Sequence, residues 1–211
     1  MKHKKIAQII ILSDSKTPEL KKITENCLNS LKESENLDFD TCVVDNKNDF
    51  KDVRNLKISG EFNYNKFMNI AAKTSDSEWI VFCNNDLIFH KNWFTELMKY
   101  KYDVMCPKCP NDRRQAWVNK IEFGSIIGKY FSGWCFVMKR SIYDKIGGLN
   151  EDYIFWCADN ITIKQLEDIG IVPCIIPTSN VTHLGSQTLN TMSNKHELTT
   201  EQIQKFKSKY N

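Results

Sequence analysis

The sequence predicts an α/β fold in which helices flank a central, mostly parallel sheet. Apolar runs at residues 6–12, 79–83 and 172–176 have the composition of strands buried on both faces. Segments with helical spacing of apolar residues lie between these runs, as at residues 18–31 and 64–73. Alternation of this kind is typical of parallel strands joined by right-handed helical crossovers.

The beginning of the chain supplies the first strand, helix and strand. The run at residues 6–12 stops at the polar stretch Ser13-Asp14-Ser15, and Thr17-Pro18 then provides the cap and first turn of a helix. A second, shorter strand at residues 41–44 ends at Asp45. Both strands therefore end at an acidic polar segment.

The next unit repeats this order. A helix is predicted at residues 64–73, after Gly60, and the strand at residues 79–83 follows it. That strand runs directly into Asn84-Asn85-Asp86. A short strand at residues 87–89 and a helix at residues 93–100 complete the first half of the chain.

The second half is less regular. A polar loop with two prolines and two arginines occupies residues 107–114, and Gly170 has the position of a helix C-cap. Strands are predicted at residues 103–106, 117–123, 133–139 and 172–176, and helices at residues 141–146, 153–167 and 201–209.

Composition narrows the class of protein. A chain of 211 residues suits one domain, and its net charge of +3 is too small to indicate nucleic acid or acidic lipid by itself. No apolar segment approaches the roughly 18 residues of a membrane span, and the basic N-terminus lacks a signal-peptide cleavage site. We therefore expect a cytoplasmic protein. Cys106 and Cys109 form a lone CxxC without a second ligand pair, so reduced thiols are expected rather than zinc.

Three carboxylates follow strands: Asp14, Asp45 and Asp86. Each alone is an ordinary turn residue. If the sheet is parallel, however, they converge on its carboxyl edge, where open α/β sheets bind nucleotides. Carboxylates and carboxamides are hard oxygen ligands, so Asn84-Asn85-Asp86 suits a divalent cation held together with a diphosphate.

Two further residues carry potential chemistry. Asp159 lies near several aromatic residues, a setting that suits sugar recognition and raises the basicity of a carboxylate. It could equally cap the helix that follows. His183 comes after the last apolar run, where it could complete a metal site or contact a phosphate, or simply lie on the surface.

Together these motifs resemble the family 2 glycosyltransferases with the GT-A fold, over roughly residues 6–188. Residues 62–72 and 78–86 resemble a branch that builds O-antigen, capsule and rhamnose-containing glycans, with Asn-Asn-Asp in place of the family's Asp-x-Asp motif. Residues 133–151 are similar to the acceptor-side segment of the family. Ala158-Asp159 occupies the place of its Glu-Asp pair, and His183 that of its late histidine.

The resemblance implies a single GT-A domain over residues 1–211, built on a Rossmann-like sheet. Its nucleotide-sugar-binding half would span residues 1–100 and its acceptor and catalytic half residues 101–190. A basic terminal helix would follow at residues 195–211.

The implied activity is inverting transfer of a sugar from a nucleotide diphosphate sugar, with UDP as the expected nucleotide, to a hydroxyl of a glycan. Asp159 would be the general base, and Asp86 with His183 would hold Mn²⁺ or Mg²⁺. The residues expected to bind the nucleotide sugar are Ser13, Asp14, Asp45, Lys66, Asn69, Asn85 and Trp134. Asn84 and Ala158 depart from the family pattern, since each replaces an acid.

Other interpretations stay open. The chain could bind sugar nucleotides without catalysis, whereas a nucleotidyltransferase is disfavoured because residues 12–18 contain no glycine. Basic groups at Arg113-Arg114, Lys139-Arg140 and the helix with Lys205 to Lys209 could bind DNA with a modified base as acceptor, as in a bacteriophage enzyme acting in host cytoplasm. The terminal helix could contact the inner membrane face, although docking on the core through Ile203 and Phe206 is favoured. A homo-oligomer is also compatible with the sequence.

Overall fold

The computed structural model describes residues 5–154, 156–185 and 195–210. The strands of this part are β1 (Ala7–Leu12), β2 (Asp40–Val44), β3 (Arg54–Leu56), β4 (Trp79–Asn84), β5 (Leu87–Phe89), β6 (Val104–Lys108), β7 (Glu122–Phe123), β8 (Cys135–Lys139) and β9 (Cys174–His183). The helices are α1 (Pro18–Ser34), α2 (Tyr64–Ala72), α3 (Trp93–Met98), α4 (Arg140–Lys145), α5 (Ala158–Asp168) and α6 (Lys195–Tyr210).

The strands form one mixed sheet with the order β3-β2-β1-β4-β8-β6-β9-β5, and β7 pairs with β9. The first four strands of this order are parallel to one another. β8 is antiparallel to both of its neighbours, whereas β6 and β9 are parallel. Within the described residues, β1 to β4, β6 and β9 run in one direction and β5, β7 and β8 in the other. The expected α/β fold with a mostly parallel sheet is confirmed.

Helices cover both faces of the sheet. Successive side chains of a strand point to opposite faces, so Ile9 packs on one side and Ile10 on the other. The first side is covered by α1 and α3, the second by α2, α4 and α5. Because the central strands are buried on both faces, they read in the sequence as continuous apolar runs.

Local capping sets where two of the helices begin. The Thr17 hydroxyl accepts a hydrogen bond from the Leu20 N–H (3.3 Å), and Pro18 fills the first turn of α1. The Asn63 side chain accepts a hydrogen bond from the Lys66 N–H (2.9 Å) at the start of α2. Both helices therefore begin where the sequence predicted.

Several expected boundaries were wrong. The helix expected from residue 153 begins at Ala158, because the Ile154 peptide is held by other elements: its carbonyl accepts from the Tyr64 N–H (2.7 Å) and its N–H donates to the Gln202 side chain (3.0 Å). Of residues 117–123, only Glu122 and Phe123 pair with β9. β3 was not predicted, because three residues carry no readable alternation.

The end of the sheet also differs from expectation. The strand expected at residues 172–176 starts at Cys174 and continues to His183, so His183 lies within β9 rather than after it. The expectation that parallel pairing continues through the later strands was also wrong. β8 lies antiparallel between β4 and β6, which brings Trp134 beside Asn84: the Trp134 carbonyl accepts a hydrogen bond from the Asn84 N–H (2.9 Å).

The terminal helix α6 docks on the core through Phe206, as expected, but not through Ile203. Phe206 contacts Tyr153 with ring centroids 5.8 Å apart, and Gln202 is buried. Ile203, expected to point inward, is exposed. No helix in the described parts of the chain combines the length and apolar composition required to cross a bilayer.

Candidate active site

A buried hydrogen-bond network joins three strand ends. Register pairs Leu12 of β1 with Val44 of β2 and Asn84 of β4, so the residues that follow them are neighbours. The Ser13 hydroxyl donates to Asp45 Oδ2 (2.6 Å) and lies 2.9 Å from the Thr24 hydroxyl. The Asn85 side-chain amide donates to the same Thr24 oxygen (2.8 Å). The structure therefore brings Ser13, Asp45 and Asn85 together.

Asp45 orders the loops at this edge. Its carboxylate accepts hydrogen bonds from the Ser13 hydroxyl and from the backbone N–H groups of Ser15 (3.0 Å), Lys47 (2.7 Å) and Asn48 (3.0 Å). Burial alone would raise the pKa of Asp45, but these hydrogen bonds outweigh it, and the pKa is lowered. Asp45 is thus held ionised, with both oxygens already bonded to the protein.

Asp14 stands apart from this network. Its side chain is 45% exposed and lies 3.4 Å from Lys16. Thr24, which the sequence analysis did not select, is the shared centre of the network instead. A buried threonine inside an amphipathic helix gives no signal of this role, since its hydroxyl also bonds to the Leu20 carbonyl in the preceding turn (3.3 Å).

Asp86 and His183 face each other across β5 and β9. The register pairs Leu87 with His183, and His183 Nε2 lies 3.3 Å from Asp86 Oδ1. The Leu184 N–H donates to the Asp86 carbonyl (2.9 Å), and the His183 ring stacks on Trp134 with centroids 5.4 Å apart. A carboxylate oxygen of Asp86 and an imidazole nitrogen of His183, which come from separate parts of the chain, thus lie close together.

This pair fits a divalent cation. A carboxylate oxygen and an imidazole nitrogen 3.3 Å apart are ligand types that divalent cations accept in proteins. Among the described residues, no group of three or more histidine, cysteine, aspartate or glutamate side chains could hold a metal ion alone. An ion at Asp86 and His183 would take its other ligands from water or from oxygen atoms of a bound substrate.

A cleft with a cavity volume of about 280 Å³ opens beside His183. Its walls come from distant parts of the chain and include Tyr64, Asn84, Arg114, Trp134, Trp156 and Asp159. Aromatic rings and a carboxylate therefore share one concave surface, which is the usual form of a small-ligand site.

Asp159 projects into this cleft from the first turn of α5. The helix begins with Cys157 in the left-handed conformation (φ 62°) and has no side-chain cap, so Asp159 is not the N-cap residue. Its Oδ1 accepts a hydrogen bond from the Asn160 N–H (2.9 Å). Burial raises the pKa of Asp159, while hydrogen bonds and the Arg114 charge oppose the shift.

Gly133 makes room for this carboxylate. A Cβ atom at Gly133 would lie 3.0 Å from the Asp159 Cβ and 3.4 Å from its Oδ2, so a larger residue would displace the aspartate. The Tyr64 hydroxyl donates to the Gly133 carbonyl (3.1 Å) and fixes this approach. The position of Asp159 thus depends on α2 as well as on α5.

Two residues expected near the phosphates, Asn69 and Lys66, do not line this cleft. The Asn69 carboxamide is buried and donates to the Leu149 carbonyl (2.7 Å) and to Glu151 (2.8 Å), while its oxygen accepts from the Tyr143 hydroxyl and the Leu149 N–H. It therefore anchors the turn at residues 147–149. Lys66 is on the exposed face of α2 and is not among the residues that line the cleft.

Arg114 lines the cleft, although the sequence analysis assigned it only to a basic pair. A polar loop gives no periodic signal of which side chain turns inward. The CxxC thiols do not bridge: Cys106 and Cys109 are free and buried, and Cys109 Sγ accepts a hydrogen bond from the His183 N–H (3.4 Å). Cys109 thus supports the strand that carries His183.

No known protein-family profile matches this chain, and no curated protein sequence matches it either. Solved structures do. The chain superposes on a mannosyltransferase from Pyrobaculum calidifontis, in complex with GDP-Man and Mn²⁺, with a TM-score of 0.60 and 15% identity over 86% of this chain and 57% of that one. It also superposes on GalNAc-T7 with UDP, GalNAc and Mn²⁺ (TM-score 0.65, 10% identity, 85% and 43% covered). The chain has the GT-A glycosyltransferase fold.

A third GT-A structure, TarS from S. aureus, gives a TM-score of 0.59 at 15% identity over 82% of this chain and 58% of that one. The chain spans about half the length of these GT-A structures. The expected GT-A fold is confirmed. Membership of family 2, and of its O-antigen branch, stays a prediction.

Proposed function

We propose that this chain is a metal-dependent glycosyltransferase that moves a sugar from a nucleotide diphosphate sugar to an acceptor hydroxyl with inversion. The proposal rests on one observation: Asp159 and His183 line the same cleft, and Asp86 Oδ1 lies 3.3 Å from His183 Nε2. A base and a cation site on one small cavity are what a single displacement at an anomeric carbon requires. The GT-A fold supports the same reaction class.

In this mechanism the Asp159 carboxylate removes the proton from the acceptor hydroxyl. The acceptor oxygen forms its bond to the anomeric carbon while the bond to the diphosphate oxygen breaks, and that electron pair leaves with the diphosphate. Asp86 and His183 would hold Mn²⁺ or Mg²⁺, which supplies charge neutralisation for the diphosphate when bound. Burial of Asp159 favours proton uptake, because its pKa is raised.

We propose UDP as the nucleotide, held by the edge that Ser13, Asp45 and Asn85 form. Asp45 acts there by shaping the loops at residues 13–15 and 47–48, since its carboxylate is 2% exposed. Asp14, half-exposed beside that edge, has an oxygen available to a ribose or base. The mannosyltransferase holds GDP-Man and GalNAc-T7 holds UDP, so a test should compare both nucleotides.

We propose a glycan as acceptor. Trp134 and Trp156 line the cleft, and sugar C–H faces pack on aromatic rings. Of the basic groups suggested for DNA, one pair is engaged within the protein: Arg140 donates to the Ser77 and Ala72 carbonyls and to Gln8, and Lys139 pairs with Asp103 (2.7 Å). A nucleic-acid acceptor is therefore disfavoured.

Asp159→Asn tests the proposal. We expect this variant to bind UDP with Mn²⁺ like the wild type but to lose sugar transfer by about 10²–10⁴-fold, the usual contribution of a general base. Nucleoside diphosphate release from a panel of UDP- and GDP-sugars measures transfer, and calorimetry measures binding. Asp168→Asn, an exposed substitution on the same helix, is the matched control. Undiminished turnover of Asp159→Asn would remove Asp159 as the base.

A further inference from the structure

Arg114 is the only lysine or arginine among the described residues that line the cleft. It lies in the loop after β6, and 61% of its side chain is exposed. No step of the proposed mechanism uses it. Its position nevertheless places a permanent positive charge beside the carboxylate and the histidine that the mechanism requires.

The guanidinium is held in a fixed orientation. Its Nε donates to Asp112 Oδ1 (3.1 Å) and its Nη2 to Asp112 Oδ2 (2.7 Å), so one carboxylate engages two of the three nitrogens. Nη1 lies against Gly128, where φ is +80° and a Cβ atom would be 1.9 Å away. Both Arg114 and Gly128 line the cleft, and within the described residues the guanidinium donates its hydrogen bonds from Nε and Nη2 to Asp112.

The loop that carries Arg114 is itself fixed. Gln115 is fully buried, and its side chain accepts a hydrogen bond from the Cys109 N–H (2.6 Å). The same side chain donates to the Gly128 carbonyl (3.2 Å) and to the Ser132 hydroxyl (3.1 Å). The guanidinium is thus preorganised, and binding at Nη1 would require little further ordering.

Arg114 and Asp112 also interact electrostatically with other groups of the cleft. The Asp159 charge helps to raise the pKa of Arg114, after the larger effect of its hydrogen bonds with Asp112. His183 in turn contributes to the lowered pKa of Asp112, after the larger effect of Arg114. Arg114 therefore interacts with the proposed base, and its partner Asp112 interacts with His183.

We propose that Arg114 binds the diphosphate of the sugar nucleotide through Nη1, as a second positive group beside the cation. This inference rests on the proposed function. A guanidinium stays protonated and donates along fixed directions, which suits phosphate oxygens. As the bond between the anomeric carbon and the diphosphate oxygen breaks, negative charge grows on the phosphate, and the hydrogen bond from Nη1 strengthens.

The test compares Arg114→Gln with Arg113→Gln in the whole protein. Arg113 is exposed and is not among the residues that line the cleft, so it controls for the loss of one charge from the same loop. Calorimetry with Mn²⁺ measures the Kd of UDP and GDP, and of uridine and guanosine. We expect Arg114→Gln to weaken diphosphate binding by about tenfold or more, as for a charged hydrogen bond, and to leave nucleoside binding unchanged.

Gly128→Ala provides a second variant that keeps the charge but displaces Nη1, and it should weaken UDP binding in the same sense. Equal UDP affinity of Arg114→Gln and Arg113→Gln would overturn this inference while leaving the proposed function intact. A rise in acceptor KM alone would also overturn it, because the arginine would then bind an anionic acceptor. A wild-type protein that binds no nucleoside diphosphate would overturn the proposed function and this inference together.

Discussion

At the scale of single residues, Asp159 and Asp45 show how burial acts in opposite directions on two carboxylates of the same chain. Asp45 receives four hydrogen bonds from the protein, and its pKa is lowered in spite of burial. Asp159 accepts backbone hydrogen bonds at the start of α5, but burial outweighs them and raises its pKa. The first is thus fixed as a structural anion, whereas the second is left with a greater affinity for a proton.

This difference predicts a pH dependence. Transfer needs ionised Asp159, so kcat/KM should fall as pH drops through a pKa above the usual value near 4 for aspartate. Because the Arg114 charge lowers the pKa of Asp159, Arg114→Gln should move this acid limb to higher pH, whereas Arg113→Gln should not. Initial rates of diphosphate release across the pH range measure both. An acid limb at or below pH 4 would contradict the assignment.

The same shift has a consequence for stability. A carboxyl group whose pKa is raised on folding binds a proton more tightly in the folded state, so its contribution to stability falls as pH rises through that pKa. Ionised Asp159 therefore weakens the fold at neutral pH. Active-site groups often lower the stability of a protein in this way, because activity and stability place different demands on the same residue.

At the scale of elements, the segment before Asp159 is held by two helices that are remote in sequence. Ile154 bonds through its carbonyl to α2 and through its N–H to Gln202 of α6. Lys205 of α6 donates to the Asp152 carbonyl (2.6 Å) and lies over the Tyr153 ring (5.2 Å). The terminal helix therefore positions the start of α5, and with it the proposed base.

Gln202→Ala should show this role. Removing the buried side chain leaves the Ile154 N–H without its partner, which should lower the free energy of unfolding by about 1–3 kcal/mol. We also expect a lower kcat with unchanged affinity for UDP and Mn²⁺, because the base shifts while the cation site does not. Urea unfolding and initial rates measure the two effects. Gln204→Ala, exposed on the same helix, is the control, and equal kcat in both variants would contradict a positioning role.

The elements also show what could be predicted from the sequence. β1 and β4 were readable because burial on both faces makes a strand locally apolar. The antiparallel insertion of β8 was not, because strand order depends on pairing between residues that are 52 to 60 positions apart. The same holds for the site. Asp86, His183 and Asp159 could be selected because they belong to sequence motifs. The orientation of Arg114 could not, because its guanidinium occupies space left by Gly128, which is remote in sequence.

At the scale of the whole molecule, the cleft exists only when both halves of the chain are folded together. Its walls combine Tyr64 and Asn84 from the first half with Trp134, Asp159 and His183 from the second. Any ligand that binds these residues stabilises the complete fold, because it binds the folded state alone.

We therefore expect UDP with Mn²⁺ to raise the Tm. At a ligand concentration about 100-fold above Kd the added stability is about 2.7 kcal/mol, which corresponds to roughly 5–10 °C for a chain of this size. Asp86→Ala should abolish most of the shift, since it removes the carboxylate that the described residues contribute to the proposed cation site. Thermal melts with and without ligand measure the effect, and Asp168→Ala serves as the control. A full shift in Asp86→Ala would argue against that site.

The network around Asp45 and Thr24 has one more consequence, which concerns kinetics of association. The loops at residues 13–15 and 47–48 are fastened to a buried anion before any ligand arrives. Loop closure should therefore not limit the encounter with the nucleotide, and the association rate constant should vary with temperature no more steeply than diffusion in water does. Differences in affinity among nucleotides should then arise from differences in their dissociation rate constants.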